Sequence, residues 1–177
     1  MEDLTSGYVK PCIMDIKMGT RTYGDDATTI KKNYMLSQDN TTTTAKHGLR
    51  IIGARSYNSV TTQYDSLSRE DANSICTKSD LEYRLFQFFY DGKSIRTEIL
   101  EQFISKIQFL INWMEKQSFY RFYSSSLLFV YEGSGPNKVD LRMIDFAHVF
   151  PILDGGFDEG YLKGLNTLLT ILLRFSV

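Results

Sequence analysis

An acid and a base two residues apart, Asp15 and Lys17, lie in the stretch Pro11-Cys12-Ile13-Met14-Asp15-Ile16-Lys17-Met18-Gly19. In an extended segment both would project from one side, because side chains alternate along a strand. Such a pair can orient a hydroxyl and hold a phosphate, and Gly19 then frees the chain to turn or to approach a ligand closely. Alone, the pair reads equally as a surface ion pair on an edge strand. A second stretch answers it. Met143-Ile144-Asp145-Phe146-Ala147-His148 reads as a buried strand delivering a carboxylate at its end. A hard oxygen ligand in that position suits Mg²⁺ held against a nucleotide, since Mg²⁺ keeps several waters and takes only one or two protein carboxylates. The bland alternative for Asp145 is a helix cap or loop salt bridge, and for His148 a partly buried hydrogen-bonded residue.

The elements that must position these residues follow from periodicity and turn chemistry. Tyr8–Met18 reads as the first strand, Thr20–Asp26 as a loop, and Thr29–Met35 as a short helix presenting Lys31 and Lys32. The polar run Gln38–His47, with Thr41–Thr44 consecutive, reads as an exposed connection. Leu49–Tyr57 reads as a strand in which Gly53 marks a bulge or a close approach. Ser79 and Glu82 form a capping-box pattern ahead of Leu81, Leu85, Phe88 and Phe89, with Gly92 as the stop. From Thr97, residues Ile99, Leu100, Phe103, Ile104, Ile107, Leu110, Ile111 and Met114 repeat at the 3.6-residue period of a half-buried helix. Leu127–Tyr131, the turn Gly133–Asn137 and Val139–Phe146 make a β-hairpin whose second strand ends at Asp145. A last helix carries Leu165, Leu168, Leu169, Leu172 and Leu173, and Asp158 and Glu159 before it read as solvated.

Bulk properties bound the function. A chain of 177 residues, 42% hydrophobic and 23% charged, is large enough for one domain with a substantial core. A net charge of −1 argues against a non-specific nucleic-acid partner. The two cysteines, Cys12 and Cys76, fit neither a metal spacing nor a disulfide framework, which predicts a reduced, intracellular setting. No apolar run is long enough for a transmembrane segment, and no signal-peptide pattern opens the chain.

The motifs carry a family resemblance. Pro11, Asp15, Lys17 and Gly19 match the P-x-x-x-D-x-K-x-G signature of the inositol polyphosphate kinases. The serine-leucine-leucine element of that family resembles Ser125-Ser126-Leu127-Leu128. Its metal-binding I-D-F resembles Ile144-Asp145-Phe146, and its closing G-Y-x-x-G-L resembles Gly160-Tyr161-Leu162-Lys163-Gly164-Leu165. Within the family, Ile144–Phe150 is most similar to the multikinase branch. The resemblance implies ATP- and Mg²⁺-dependent phosphorylation of inositol trisphosphate and tetrakisphosphate hydroxyls. By the same resemblance Asp15 would orient or deprotonate the attacking hydroxyl, or touch the nucleotide ribose. Lys17 would grip a substrate phosphate and the developing charge, and Asp145 would bind the metal and nucleotide. Lys31, Lys32 and His148 would contact substrate, Glu2 and Leu4 would touch adenine, and Ser126 would play a supporting role. The fold implied is α+β, the C-terminal lobe of a two-lobed kinase-like fold, with a small antiparallel sheet packed on helices. A nuclear and cytoplasmic location comes with the family, and a phosphoinositide lipid is admitted as a partner without a residue that argues for it.

Two departures shape the expectation. The substrate-binding helix of the family aligns only over Ile30-Lys31-Lys32-Asn33, with Tyr34, Ser37 and Gln38 where more basic residues are expected. Met1-Glu2-Asp3-Leu4-Thr5 resembles the hinge between the lobes, so residues 1–177 read as the C-terminal lobe, with weak or no turnover by themselves. The rival reading is a non-catalytic inositol-phosphate binder or interaction module descended from such a kinase. A protein-kinase remnant fits less well, since there is no H-R-D-type loop and Asp145 precedes Phe-Ala rather than Phe-Gly.

Overall fold

The computed structural model describes residues 3–176. Its organising element is β1, Pro11–Met18, in which buried and half-buried residues alternate without exception. Cys12, Met14, Ile16 and Met18 point into the core, while Pro11, Ile13, Asp15 and Lys17 point the other way. The strand starts later than its sequence suggests, because Val9 is 78% exposed and its N–H, with that of Lys10, is held by the Glu132 carboxylate rather than by a strand.

β1 is the middle of a five-stranded antiparallel sheet. On one side it pairs with β2, Leu49–Asn58, and β2 pairs with β3, Gln63–Leu67. On the other side lie β5, Ser126–Glu132, and β6, Val139–Ile144, the predicted hairpin. Two short strands, β4 at Tyr120–Phe122 and β7 at Val149–Pro151, form a separate pair. The α+β architecture with a small antiparallel sheet packed on helices is therefore as the sequence implied.

One sheet face is covered by three helices: α4, Lys78–Phe89; α5, Thr97–Met114; and α6, Glu159–Leu173. The periodic apolar residues of α5 are buried as their spacing required, except for half-buried Leu110. Phe88, Phe89, Phe103, Phe129 and Tyr131 interlock edge to face and stacked between α4, α5 and β5. The Tyr131 hydroxyl donates to the Phe88 carbonyl, so the ring's polar end is not left unpaired in the core.

Several local expectations are corrected. The Gln38–His47 run is mostly helical: α1 extends over Thr29–Thr41, and α2 spans Thr43–His47. Threonine hydroxyls make this workable. Thr28 caps α1, Thr42 caps α2, and buried Thr43 donates to the Leu49 carbonyl at 2.7 Å. The capping box of α4 is Thr77 with Asp80, not Ser79 with Glu82, so the helix starts just ahead of the predicted cap. β3 and the short helix α3, Arg69–Ala72, occupy a stretch that carries no periodic signal. β6 is a half-buried edge strand rather than a buried one. Asp158, expected to be solvated, is 3% exposed and caps α6.

Candidate functional site

Asp15 and Lys17 share the sheet face that the helices leave open. Across β5, Lys17 stands opposite Ser126 and Asp15 opposite Leu128. Ser126 in turn stands opposite Ile144, the last residue of β6, so the chain delivers Asp145 beside them. Asp145 is exposed and has φ 64°, a left-handed conformation that aspartate tolerates better than most residues. Ser124, at φ 58°, is a second such residue next to the site. Backbone held in this region is characteristic of ligand and catalytic sites.

The Lys17 ammonium donates to the Ser124 carbonyl at 2.9 Å and to the Ser124 hydroxyl at 3.0 Å. Burial pushes its pKa down, while Asp15 and Asp145 pull it up and Arg50 and Arg69 push it further down. Burial also raises the Asp15 carboxyl, helped by the Asp145 charge and opposed by Ser126, Lys17 and Arg69. These five charged groups therefore form one electrostatic cluster. Ser126 lies near enough to favour the ionised Asp15, yet the contact lacks hydrogen-bond geometry. Among the described residues Asp15 Oδ1, Ser126 Oγ and Arg50 Nε are buried without a partner. Buried polar atoms are almost always paired in folded proteins, so three orphans on one sheet face indicate groups waiting for a ligand.

A bulge shapes this face. The register runs Asp15↔Gly53 and then Ile16↔Ile51, leaving Ile52 as the extra residue of β2. The insertion sends Ile51 into the core and places Arg50 opposite Lys17. The glycine signal at Gly53 marked this bulge, but not its effect on Arg50. Arg69 reaches the same face from the start of α3 and, with Ile13, Asp15 and Gly53, lines a shallow depression of about 370 Å³. Neither arginine was singled out from the sequence, where both look like ordinary strand-end or loop cations.

The other candidate residues are more dispersed. Lys31 and Lys32 are exposed on the first turn of α1, and the Lys32 ammonium lies 5.6 Å from the Tyr23 ring. Half-buried His148 offers its backbone carbonyl to Tyr123 N–H at 3.0 Å. Leu4 helps Tyr8, Lys138 and Asp140 line a groove of about 450 Å³. Glu2 lies outside the described residues. A further groove of about 260 Å³ follows Gly19, between Arg21, Arg121, Tyr123 and the start of α6. Its arginines are already engaged, Arg21 with Asp25 and the Tyr123 ring and Arg121 with Asp154.

Among the described residues no cluster of three or more His, Cys, Asp and Glu could hold a metal by itself. Asp145 and the free Asp15 oxygen are hard ligands that could complete a divalent-cation shell only together with ligand oxygens and water. Among the described residues, no helix is long and apolar enough to cross a membrane.

Comparison with known proteins shows the family and the fold. The sequence model of the inositol polyphosphate kinase family matches residues 1–173. Inositol hexakisphosphate kinase 2 of Mus musculus is 33% identical, with 99% of this chain and 48% of that protein covered. Inositol hexakisphosphate kinase 3 of Mus musculus is 34% identical, with 97% and 49% covered. The chain thus spans about half the length of the curated relatives it matches. A solved inositol phosphate multikinase superposes with a TM-score of 0.89 at 28% identity, covering 98% of this chain and 83% of that one. The S. cerevisiae multikinase Ipk2, solved with ADP and Mn²⁺, superposes with a TM-score of 0.87 at 26% identity, covering 98% and 82%.

Proposed function

Given that this chain belongs to the inositol polyphosphate kinase family, we propose that it transfers the γ-phosphoryl group of ATP to ring hydroxyls of inositol phosphates. The observation that carries this reading is the convergence of Asp15, Lys17 and Asp145 on one open sheet face, with Asp15 Oδ1 unpartnered. A simple binder of anions would gain nothing from two carboxylates there.

The residues suggest a division of labour. The ring hydroxyl attacks the γ-phosphorus as the bond to the β-phosphate oxygen breaks, and ADP departs. Asp15, its carboxyl raised by burial, orients the hydroxyl and accepts its proton through the free oxygen. Lys17, pinned by Ser124, stabilises charge on the phosphoryl group. Asp145, with Ser126 Oγ nearby, would hold a divalent metal on the nucleotide phosphates; Ipk2 was solved with ADP and Mn²⁺. That metal would neutralise phosphate charge during transfer. Positioning and charge stabilisation account for most of such a rate enhancement, so few groups are needed.

Substrate choice divides into two readings. The Ile144–Phe150 stretch and the TM-scores to two multikinases favour inositol trisphosphate and tetrakisphosphate as acceptors. The greater sequence identity to hexakisphosphate kinases favours a fully phosphorylated ring. Incubation with labelled ATP, Mg²⁺ and each acceptor in turn decides between them. Label on trisphosphate or tetrakisphosphate supports the first, and label on hexakisphosphate alone supports the second. Binding of all three without transfer would replace both with a non-catalytic binding role.

A further inference from the structure

Most arginines of this chain are engaged: Arg84 donates to the Gln87 side chain, and Arg55, which makes no side-chain hydrogen bond or ion pair among the described residues, stacks its guanidinium over the Tyr64 ring at 3.7 Å. Arg21, Arg121, Arg142 and Arg174 pair with carboxylates, and Arg96 donates to the Gly133 carbonyl. Arg50 and Arg69 make no side-chain hydrogen bond or ion pair among the described residues, and the Arg50 Nε is buried without a partner. These two are the cations that Lys17 feels most among its neighbours.

Local structure holds them in that position. The Ile52 bulge turns Arg50 onto the Lys17 side of the sheet, directly opposite it in register. The acid closest in effect to Arg50 is Asp39, which is 1% exposed. Its carboxylate is already occupied, accepting from Thr22 N–H at 2.9 Å and from the Thr22 hydroxyl at 2.7 Å. Arg69 disfavours the charge on Arg50, and both disfavour the charge on Lys17. Three mutually repelling cations, two of them in no side-chain ion pair, are arranged for a polyanion that bridges them together.

We infer that Arg50 and Arg69 bind phosphate groups of the acceptor ring, forming with Lys17 a cationic wall that favours the more highly phosphorylated inositols. The inference rests on the acceptor being an inositol phosphate, as proposed above. Guanidinium groups suit the task because their planar donors bind phosphate in two-point fashion. The wall also explains how a chain of net charge −1 can hold a ligand so rich in negative charge.

The test is calorimetric titration of inositol hexakisphosphate and inositol trisphosphate into the full chain and the variants Arg50→Gln, Arg69→Gln and Lys116→Gln. Removing either arginine should weaken hexakisphosphate binding by about 10-fold or more, the loss of one charge-assisted contact. It should weaken trisphosphate binding less and flatten the salt dependence of the affinity. Lys116→Gln, at an exposed site distant in sequence from both, should bind as the parent does. Wild-type affinity in both arginine variants overturns the inference and leaves the kinase reading standing. If the parent binds neither ligand, the acceptor class is wrong and both fall. Should Arg50→Gln misfold, Arg69→Gln decides alone, since Arg69 is exposed on a four-residue helix.

Discussion

Gly164 in α6 packs against the backbone of Gly48 so closely that neither residue has room for a side chain. A methyl group on Gly164 would collide with the Gly48 carbonyl oxygen, and one on Gly48 would come within 2.6 Å of the Gly164 nitrogen. The same Gly48 carbonyl accepts from Gly19 N–H at 2.8 Å, just past the end of β1. The closing glycine of the G-Y-x-x-G-L stretch is thus coupled through Gly48 to the loop that follows Lys17.

Substitution of Gly164 tests this contact. Gly164→Ala forces α6 and the Gly48 turn apart and should cost about 1–3 kcal/mol of stability, the usual range for overpacking. Urea unfolding measures it, and an unchanged midpoint would mean that the helix shifts without strain.

Asp145 separates chemistry from backbone conformation. Asn tolerates the φ of 64° found there, whereas Ala does so poorly. Asp145→Asn should unfold at close to the parent temperature while phosphoryl transfer drops about 10²–10³-fold, as expected on losing one charge-stabilising group. Asp145→Ala should lose activity and stability together. Initial rates across a Mg²⁺ series, with thermal melts alongside, give the comparison.

The raised Asp15 carboxyl predicts a pH signature. The folded chain holds this proton more tightly than an unfolded chain, whose carboxyl stays near 3.8. Its contribution to stability is present below that value and is lost as pH rises through the folded-state pKa. Lys17 acts at the alkaline end: its folded-state pKa lies below 10.5, so stability rises as pH climbs from that value past 10.5. Asp15→Asn should therefore gain stability relative to the parent as pH rises above 3.8, by chemical denaturation at each pH. A difference that stays flat across the range would refute the shift.

Asp158 holds two elements at once. Its Oδ1 accepts from Tyr161 N–H at 3.0 Å to cap α6, and its Oδ2 accepts from Phe122 N–H at 2.7 Å in β4. Asp158→Ala should cost about 1–3 kcal/mol, because a buried N–H is left unpaired as well as a cap lost. Hydrogen exchange should show the Tyr161 and Phe122 amides losing protection first.

Much of this was readable in one dimension. The alternation of β1, the 3.6-residue period of α5 and the hairpin turn at Gly133–Asn137 are local patterns set by side-chain direction and backbone sterics. Sequence alone also placed an acid and a base on one face of β1, and a second acid at the end of a hairpin. Gly53 announced the bulge. Tertiary structure decided what those elements face: that the helices cover the Met14 side and leave the Asp15 side open, and that β6 is an edge. It also decided that Arg50 stands opposite Lys17, because a bulge shifts register only against a partner strand. Burial of Asp158 and helix in the threonine run depend likewise on hydrogen bonds to residues far along the chain or in the next turn. Composition and period cannot register such pairings, since each is a property of two segments meeting rather than of either one.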